Sequence, residues 1–129
     1  MCEANAMEKI CLDSEVALGF LKGERAIVEK LQYYAHREEV CMDAFTAMEI
    51  DASVRKREVA EEFLSSINIL PFDRKAAQLA TQLIRENKKR EMRTPLNALI
   101  AAAVCITNNA FLFTKQRNMF EGIKGLRLV

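Results

Sequence analysis

The stretch Ile10-Cys11-Leu12-Asp13-Ser14-Glu15-Val16-Ala17-Leu18-Gly19-Phe20-Leu21 carries the argument for the fold. Its first three residues read as a short strand, and Asp13-Ser14 ends that strand in a polar turn. Residues 15–21 read as a short helix, broken at Lys22-Gly23. A strand that runs directly into a helix is the repeating unit of a parallel sheet, whose neighbouring strands are joined by crossovers.

The same pattern recurs along the chain. Ile27, Val28, Leu31, Tyr34 and Ala35 repeat at helical spacing, which predicts a second helix over residues 24–37. Val40-Cys41-Met42 is the second strand, with Asp43 following it as Asp13 follows the first. Residues 44–52 favour helix, and a further helix is expected over 54–66, where Val59, Phe63 and Ile67 are spaced by four. Arg55, Lys56, Arg57, Glu61 and Glu62 form its charged face. Asn68-Ile69-Leu70 gives a third strand, closed by Pro71.

Asp73 is placed to cap a long helix with Ala76, Leu79, Ala80, Leu83 and Ile84 inward, which fades into the charged segment 87–93. Thr94-Pro95 then starts another helix, with Thr94 as the cap and Pro95 in the first helical position, ending near Asn108-Asn109. Residues 110–113 form a fourth strand ending at Thr114, and 126–129 a short edge strand. The expectation is one α/β domain over residues 8–129, with a central parallel sheet of four to five strands joined by crossover helices. A flexible tail over residues 1–7 precedes it.

Composition narrows the function classes. At 129 residues, half of them apolar, the chain has material for one sizeable core. Nineteen Lys and Arg against eighteen Asp and Glu leave a formal charge of +1, so any anion binding must come from local patches. The candidates are Lys88, Lys89, Arg90 and Arg93 before Thr94, and Lys115, Arg117, Lys124 and Arg127 after the fourth strand. They read equally as phosphate contacts and as solvated surface. The longest uncharged apolar stretch, 95–114, contains Asn97, Thr107, Asn108 and Asn109 and does not read as a membrane span. With no basic start and apolar block of a secretory signal, a cytoplasmic protein is the default. Cys2, Cys11, Cys41 and Cys105 are widely spaced and the only histidine is His36, a pattern unlike a zinc site. Three of these cysteines lie in apolar segments and are expected to be buried thiols, and His36 to be a surface residue.

In open parallel sheets, ligands gather beyond the carboxyl ends of the strands, where the strand order reverses. Asp13 directly follows the first strand, Gln116 comes shortly after the fourth, Asn97 sits in the first turn of a helix, and Glu49 lies in the helix after the second strand. Together they offer oxygen ligands of the kind that Mg²⁺ or Mn²⁺ takes.

Five segments resemble a known family in order and spacing. They are I-C-L-D-S-E-V-A-L-G-F-L-K-G-E from Ile10, T-A-M-E-I from Thr46, I-N-I-L-P-F-D from Ile67, P-L-N-A-L-I-A-A-A from Pro95, and F-L-F-T-K-Q-R-N-M-F-E-G-I-K-G-L from Phe111. The pattern is similar to that of PIN domains, and among these to the VapC toxin ribonucleases, over nearly the whole chain from Met7. The resemblance implies a three-layer α/β/α fold and an acidic site holding divalent metal. Asp13 and Glu49 fall on its first two acidic positions, Asn97 on the third and Gln116 on the fourth, with Thr114 as a hydroxyl beside them. The implied metal ligands are Asp13, Glu49 and Asn97. Both amides keep a carbonyl oxygen but lack the charge of Asp, so weakened Mg²⁺ binding is expected. Glu15 reads first as an exposed helix glutamate and second as a replacement carboxylate.

What the resemblance implies is an Mg²⁺-dependent endoribonuclease toxin acting on RNA, dimeric and neutralised by a small antitoxin of the VapB type. The alternative is a catalytically decayed PIN-like module that binds RNA or protein. A third reading, a receiver-like domain with Asp13 as phosphoacceptor and Lys115 as its lysine, lacks the acidic pair before Asp13.

Overall fold

The computed structural model describes residues 7–129. The tail expected over residues 1–7 therefore lies outside the described residues except for Met7, which is exposed. Twelve elements follow one another: β1 (Lys9–Leu12), α1 (Ser14–Leu21), α2 (Arg25–Arg37), β2 (Glu39–Asp43), α3 (Ala44–Ser53), α4 (Arg57–Ser65), β3 (Asn68–Leu70), α5 (Arg74–Lys89), α6 (Leu96–Thr107), β4 (Ala110–Phe113), α7 (Arg117–Phe120) and β5 (Arg127–Leu128).

All five strands are parallel, in the order β3-β2-β1-β4-β5. The chain steps outward from β1 to β3, then returns through α5 and α6 to lay β4 on the other side of β1. That reversal places a switch point between β1 and β4, where Leu12 stands opposite Phe113.

Successive side chains of a strand point to opposite faces, and the packing follows that period of two. Ile10, Leu12, Met42 and Phe113 pack against Val16, Ile27, Leu31, Ile50 and Phe63 of α1 to α4. On the other face, Cys11, Cys41 and Leu112 pack against Ala76, Ala98, Leu99, Ala102 and Cys105 of α5 and α6. The result is the expected α/β/α arrangement. Every residue of α6 from Ala98 to Cys105 is buried, as befits a helix that is apolar all round, and its alanines let α5 pack closely. No helix among the described residues is long and apolar enough to cross a membrane.

Aspartates start three of the helices. Asp13 accepts from the Val16 N–H, Asp43 from Thr46 and Asp73 from Ala76, each relieving an orphan donor of a first turn. Cys11, Cys41 and Cys105 are free and buried, as expected. The thiols of Cys11 and Cys41 are held above the ordinary range, Cys11 first by its contact with Cys105 and Cys41 first by its contact with Cys11. His36 is exposed.

Several boundaries differ from the sequence reading. The helix expected over 54–66 begins at Arg57, because its guanidinium donates to the backbone oxygens of Asp51 (2.6 Å) and Val54 (3.1 Å) and ties off the end of α3. Thr94 does not cap α6. Its hydroxyl donates to the Met119 carbonyl at 3.4 Å, and Pro95 takes the cap position instead of the first helical one. Ile84 is exposed, since α5 leaves the core after Leu83, and Ala35 is likewise exposed on α2. The short α7 carries no periodic signal.

Asp43 is 2% exposed, with Thr46 donating to both its oxygens, at 3.0 Å from N–H and 2.6 Å from the hydroxyl. Burial nevertheless holds its carboxyl above the ordinary aspartate range. An acid shifted upward in the fold contributes stability below its ordinary range and loses that contribution as pH rises through the folded value. Asp43→Asn has no such loss. Urea unfolding should therefore show the variant gaining stability relative to the parent between about pH 3 and about pH 7, whereas a difference independent of pH would contradict the upward shift.

Candidate functional site

The carboxyl ends of β1 and β4, the first turn of α3 and the start of α6 surround a cleft of about 180 Å³. Asp13, Ser14, Glu15, Thr46, Asn97 and Gln116 supply its polar lining. Asp13 belongs to both neighbouring strands' geometry, because its N–H continues the ladder to the Phe113 carbonyl at 3.2 Å. Its carboxylate is divided between two partners. Oδ1 accepts from the Val16 N–H at 2.9 Å, and Oδ2 accepts from the Thr114 hydroxyl. The Gln116 N–H donates to the Thr114 Oγ at 2.9 Å, which leaves the hydroxyl proton directed at Asp13. Thr114 is buried, so this orientation is not shared with solvent. Burial raises the Asp13 carboxyl above its ordinary range, Thr114 and the Val16 N–H pull it back in part, and the charge of Glu15 adds to the rise.

The two amides sit opposite acids. The Asn97 Nδ2 donates to the Glu49 Oε2 at 3.4 Å, and the Gln116 Nε2 to the Glu15 Oε2 at 2.9 Å. The other oxygen of Glu49, Oε1, is buried and has no hydrogen-bond partner. The structure thus brings Asp13, Asn97 and Gln116 to the cleft wall, with Glu49 joined through Asn97 and Thr114 through Asp13. Sequence reasoning missed Thr46, although its place three residues after a capping aspartate was a usable signal. Met119 and Phe120, also in the lining, belong to the unforeseen α7.

Among the described residues, no group of three or more His, Cys, Asp or Glu is arranged to hold a metal ion. Two carboxylates with neighbouring amide oxygens still suit a hard cation that keeps its waters, since Mg²⁺ often takes only one or two carboxylates from a protein. The orphaned Glu49 oxygen fits the same donor set, because a buried acceptor without a donor calls for an ion or a water.

The basic residues near the site are largely engaged elsewhere. Lys115 pairs with Glu24 at 3.1 Å, Arg117 donates to the Val129 carbonyl at 3.0 Å, and Arg127 donates to Asn109 and stacks on Phe111. Arg90 pairs with Glu86 at 3.4 Å. Lys88, Lys89 and Arg93 are exposed around the turn between α5 and α6. A larger cavity, about 410 Å³, lies beneath that turn against Leu83, Met92 and Ile123. Its one acid, Glu86, is the partner of Arg90, so it offers none of the paired acids of the smaller cleft.

Comparison with known proteins agrees with this geometry. A chain of the VapBC complex from Salmonella typhimurium, in a structure with DNA bound, superposes with a TM-score of 0.83 at 23% identity, covering 95% of this chain and 98% of that one. A chain of VapBC2 from Rickettsia felis, bound to a promoter DNA fragment, gives 0.82 at 20% identity, covering 94% and 97%. A chain of FitAcB from Neisseria gonorrhoeae gives 0.74 at 20% identity, covering 92% and 95%. No curated protein matches the sequence. The sequence model of the PIN domain matches residues 10–125, which spans β1 to the turn before β5 and sets aside the receiver-like reading. On that match, and with the acids of the cleft at the strand ends, the chain belongs to the PIN domain family.

Proposed function

We propose that the chain is a metal-dependent endoribonuclease of the VapC toxin type whose site is weakened by Asn97 and Gln116. The observation that carries the reading is the buried Glu49 Oε1, an acceptor without a donor beside the Asn97 of the cleft. Asp13 and Glu49 would hold Mg²⁺ or Mn²⁺, with Asn97 and Gln116 as neutral oxygen donors. Such an ion, when bound, orients a water and stabilises the charge that develops on a phosphodiester under in-line attack.

The residues of the chain prepare that chemistry without it. Thr114, held by the Gln116 N–H, fixes one Asp13 oxygen, and the α1 N-terminus fixes the other, so the carboxylate is presented in a single orientation. Asn97 holds one oxygen of Glu49 and leaves the other without a donor. Lys88, Lys89, Arg93 and Lys124 are the exposed basic residues near the site left to meet RNA phosphates, because Arg90, Lys115, Arg117 and Arg127 already have partners. Likeness to the VapBC and FitAcB structures supports an antitoxin partner of the VapB type, and with it a homodimeric, cytoplasmic toxin.

One observation favours the second reading, a decayed PIN-like module that binds RNA or protein. Both amides already donate to carboxylates, so much of the mouth is satisfied without a cation. Cleavage of a structured RNA in Mn²⁺ separates the two. The nuclease reading expects cleavage that disappears in Asp13→Asn, a variant that keeps an oxygen to cap α1, with a loss on the order of 100-fold or more. RNA left intact by the parent at every Mn²⁺ concentration favours the decayed module.

Asn97→Asp tests the assignment of the weakened position. In EDTA the new carboxylate faces Glu49, so the thermal midpoint should fall. On adding Mn²⁺ the variant should recover more than the parent and bind the ion on the order of tenfold tighter, since affinity follows the charge of the ligand set. Equal responses to Mn²⁺ in both proteins would remove Asn97 from the site.

A further inference from the structure

We propose that the larger cavity, beneath the turn between α5 and α6, receives a base of single-stranded RNA whose backbone runs on to the cleft. The inference rests on the RNA reading above and gives the substrate a second point of attachment, away from the acids. The cavity, about 410 Å³, falls in the size range of ligand pockets, whereas the cleft, about 180 Å³, is smaller than that range. Leu79, Leu83, Met92 and Ile123 give the cavity apolar walls. Arg90 adds a flat guanidinium to the lining, which pairs with Glu86 at 3.4 Å and reaches the Gly122 carbonyl at 3.5 Å. A planar cation held in this way is a surface on which a base stacks.

The charge around the cavity complements its shape. Lys88, Lys89 and Arg93 are exposed on the turn above it, and Lys124 is exposed in its lining. The only acid of the lining, Glu86, is paired with Arg90. Cations at the rim and a flat apolar interior suit a nucleotide, since stacking joined to phosphate contact is how proteins hold single strands. The cavity and the cleft also share walls. Thr94 and Leu99 line the cavity while Asn97 and Ala98 line the cleft, so the start of α6 stands between them. The Thr94 hydroxyl ties that wall to the carbonyl of Met119, a residue of the cleft lining. A base seated in the cavity therefore positions a phosphodiester of the same strand toward the cleft.

Gly122 provides the test. Within 4 Å, a Cβ there meets only the Met92 side chain, its nearest atom at 3.1 Å, so Gly122→Leu fills the cavity against a flexible neighbour. Anisotropy of a labelled single-stranded RNA of mixed sequence is measured in EDTA. Gly122→Leu should bind it about tenfold more weakly than the parent, with salt slope and thermal midpoint unchanged. The parent should lose the same factor on a strand with abasic residues, and both proteins should bind that strand alike. Lys89→Gln and Lys124→Gln should instead flatten the salt slope, each by about 0.7. Parent-like RNA affinity in Gly122→Leu gives the cavity to a protein segment instead and overturns the assignment, as does a parent indifferent to the loss of bases. If the parent cuts RNA in Mn²⁺ and Gly122→Leu binds and cuts it equally well, the nuclease reading stands and this one falls. Binding that follows the expected pattern without cleavage in Mn²⁺ supports the pocket and removes the nuclease reading.

Discussion

The pairing of β1 with β4 is the constraint on which the molecule depends. It joins segments about one hundred residues apart, and its closure entropy must be recovered from contacts made on both sides. The cores on both faces of the two strands supply most of this, and four links at the end of the ladder add to it. They are the Asp13 N–H on the Phe113 carbonyl, the Thr114 hydroxyl on Asp13, the Gln116 amide on Glu15 and Lys115 on Glu24. Most of these lie at the carboxyl end of the strands, so the interactions that close the fold are also those that shape the cleft. Loosening β4 would disturb the site before it disturbed the outer strands β2 and β3.

The parts of this arrangement that the sequence discloses are those governed by neighbours in the chain. Asp13, Asp43 and Asp73 announce the starts of α1, α3 and α5 because a capping carboxylate needs only the N–H groups within three residues of it. The strands are visible as short apolar runs, and the burial of Cys11, Cys41 and Cys105 follows from theirs. Distant partners overrule local preference elsewhere. Thr94 has the chemistry of a cap but is drawn to Met119, and Arg57 breaks a helix because carbonyls at the end of α3 are within its reach. At the site, the positions of Asp13 and Gln116 after their strands and of Asn97 at a helix start were legible, and all three line the cleft. What each amide touches could not be read, since Glu49 lies 48 residues from Asn97 and Glu15 lies 101 from Gln116.

Those two contacts change the electrostatics of the mouth. Acids crowded together at a strand end repel one another and rely on a bound cation to offset that repulsion. An amide in place of an acid donates to its neighbour instead, which turns a repulsive pair into a hydrogen-bonded one. Asn97 and Gln116 thus give the mouth less attraction for a cation than acids would, and a lower cost of being without one. Asp43 shows the other way of keeping a carboxylate in the interior, with Thr46 donating to both oxygens and no opening toward the cleft lining beyond Thr46 itself.

The division of labour within Asp13 bears on how the chain is inherited. One of its oxygens caps α1 and the other accepts from Thr114 at the end of β4, so the residue serves the fold whether or not any RNA is ever cut. Selection against unfolded protein would keep Asp13 in a lineage that had lost the reaction entirely. The presence of Asp13 is therefore a statement about architecture first, whereas the Asn97 and Gln116 amides touch only side chains of the mouth and of α1 and α3 beside it.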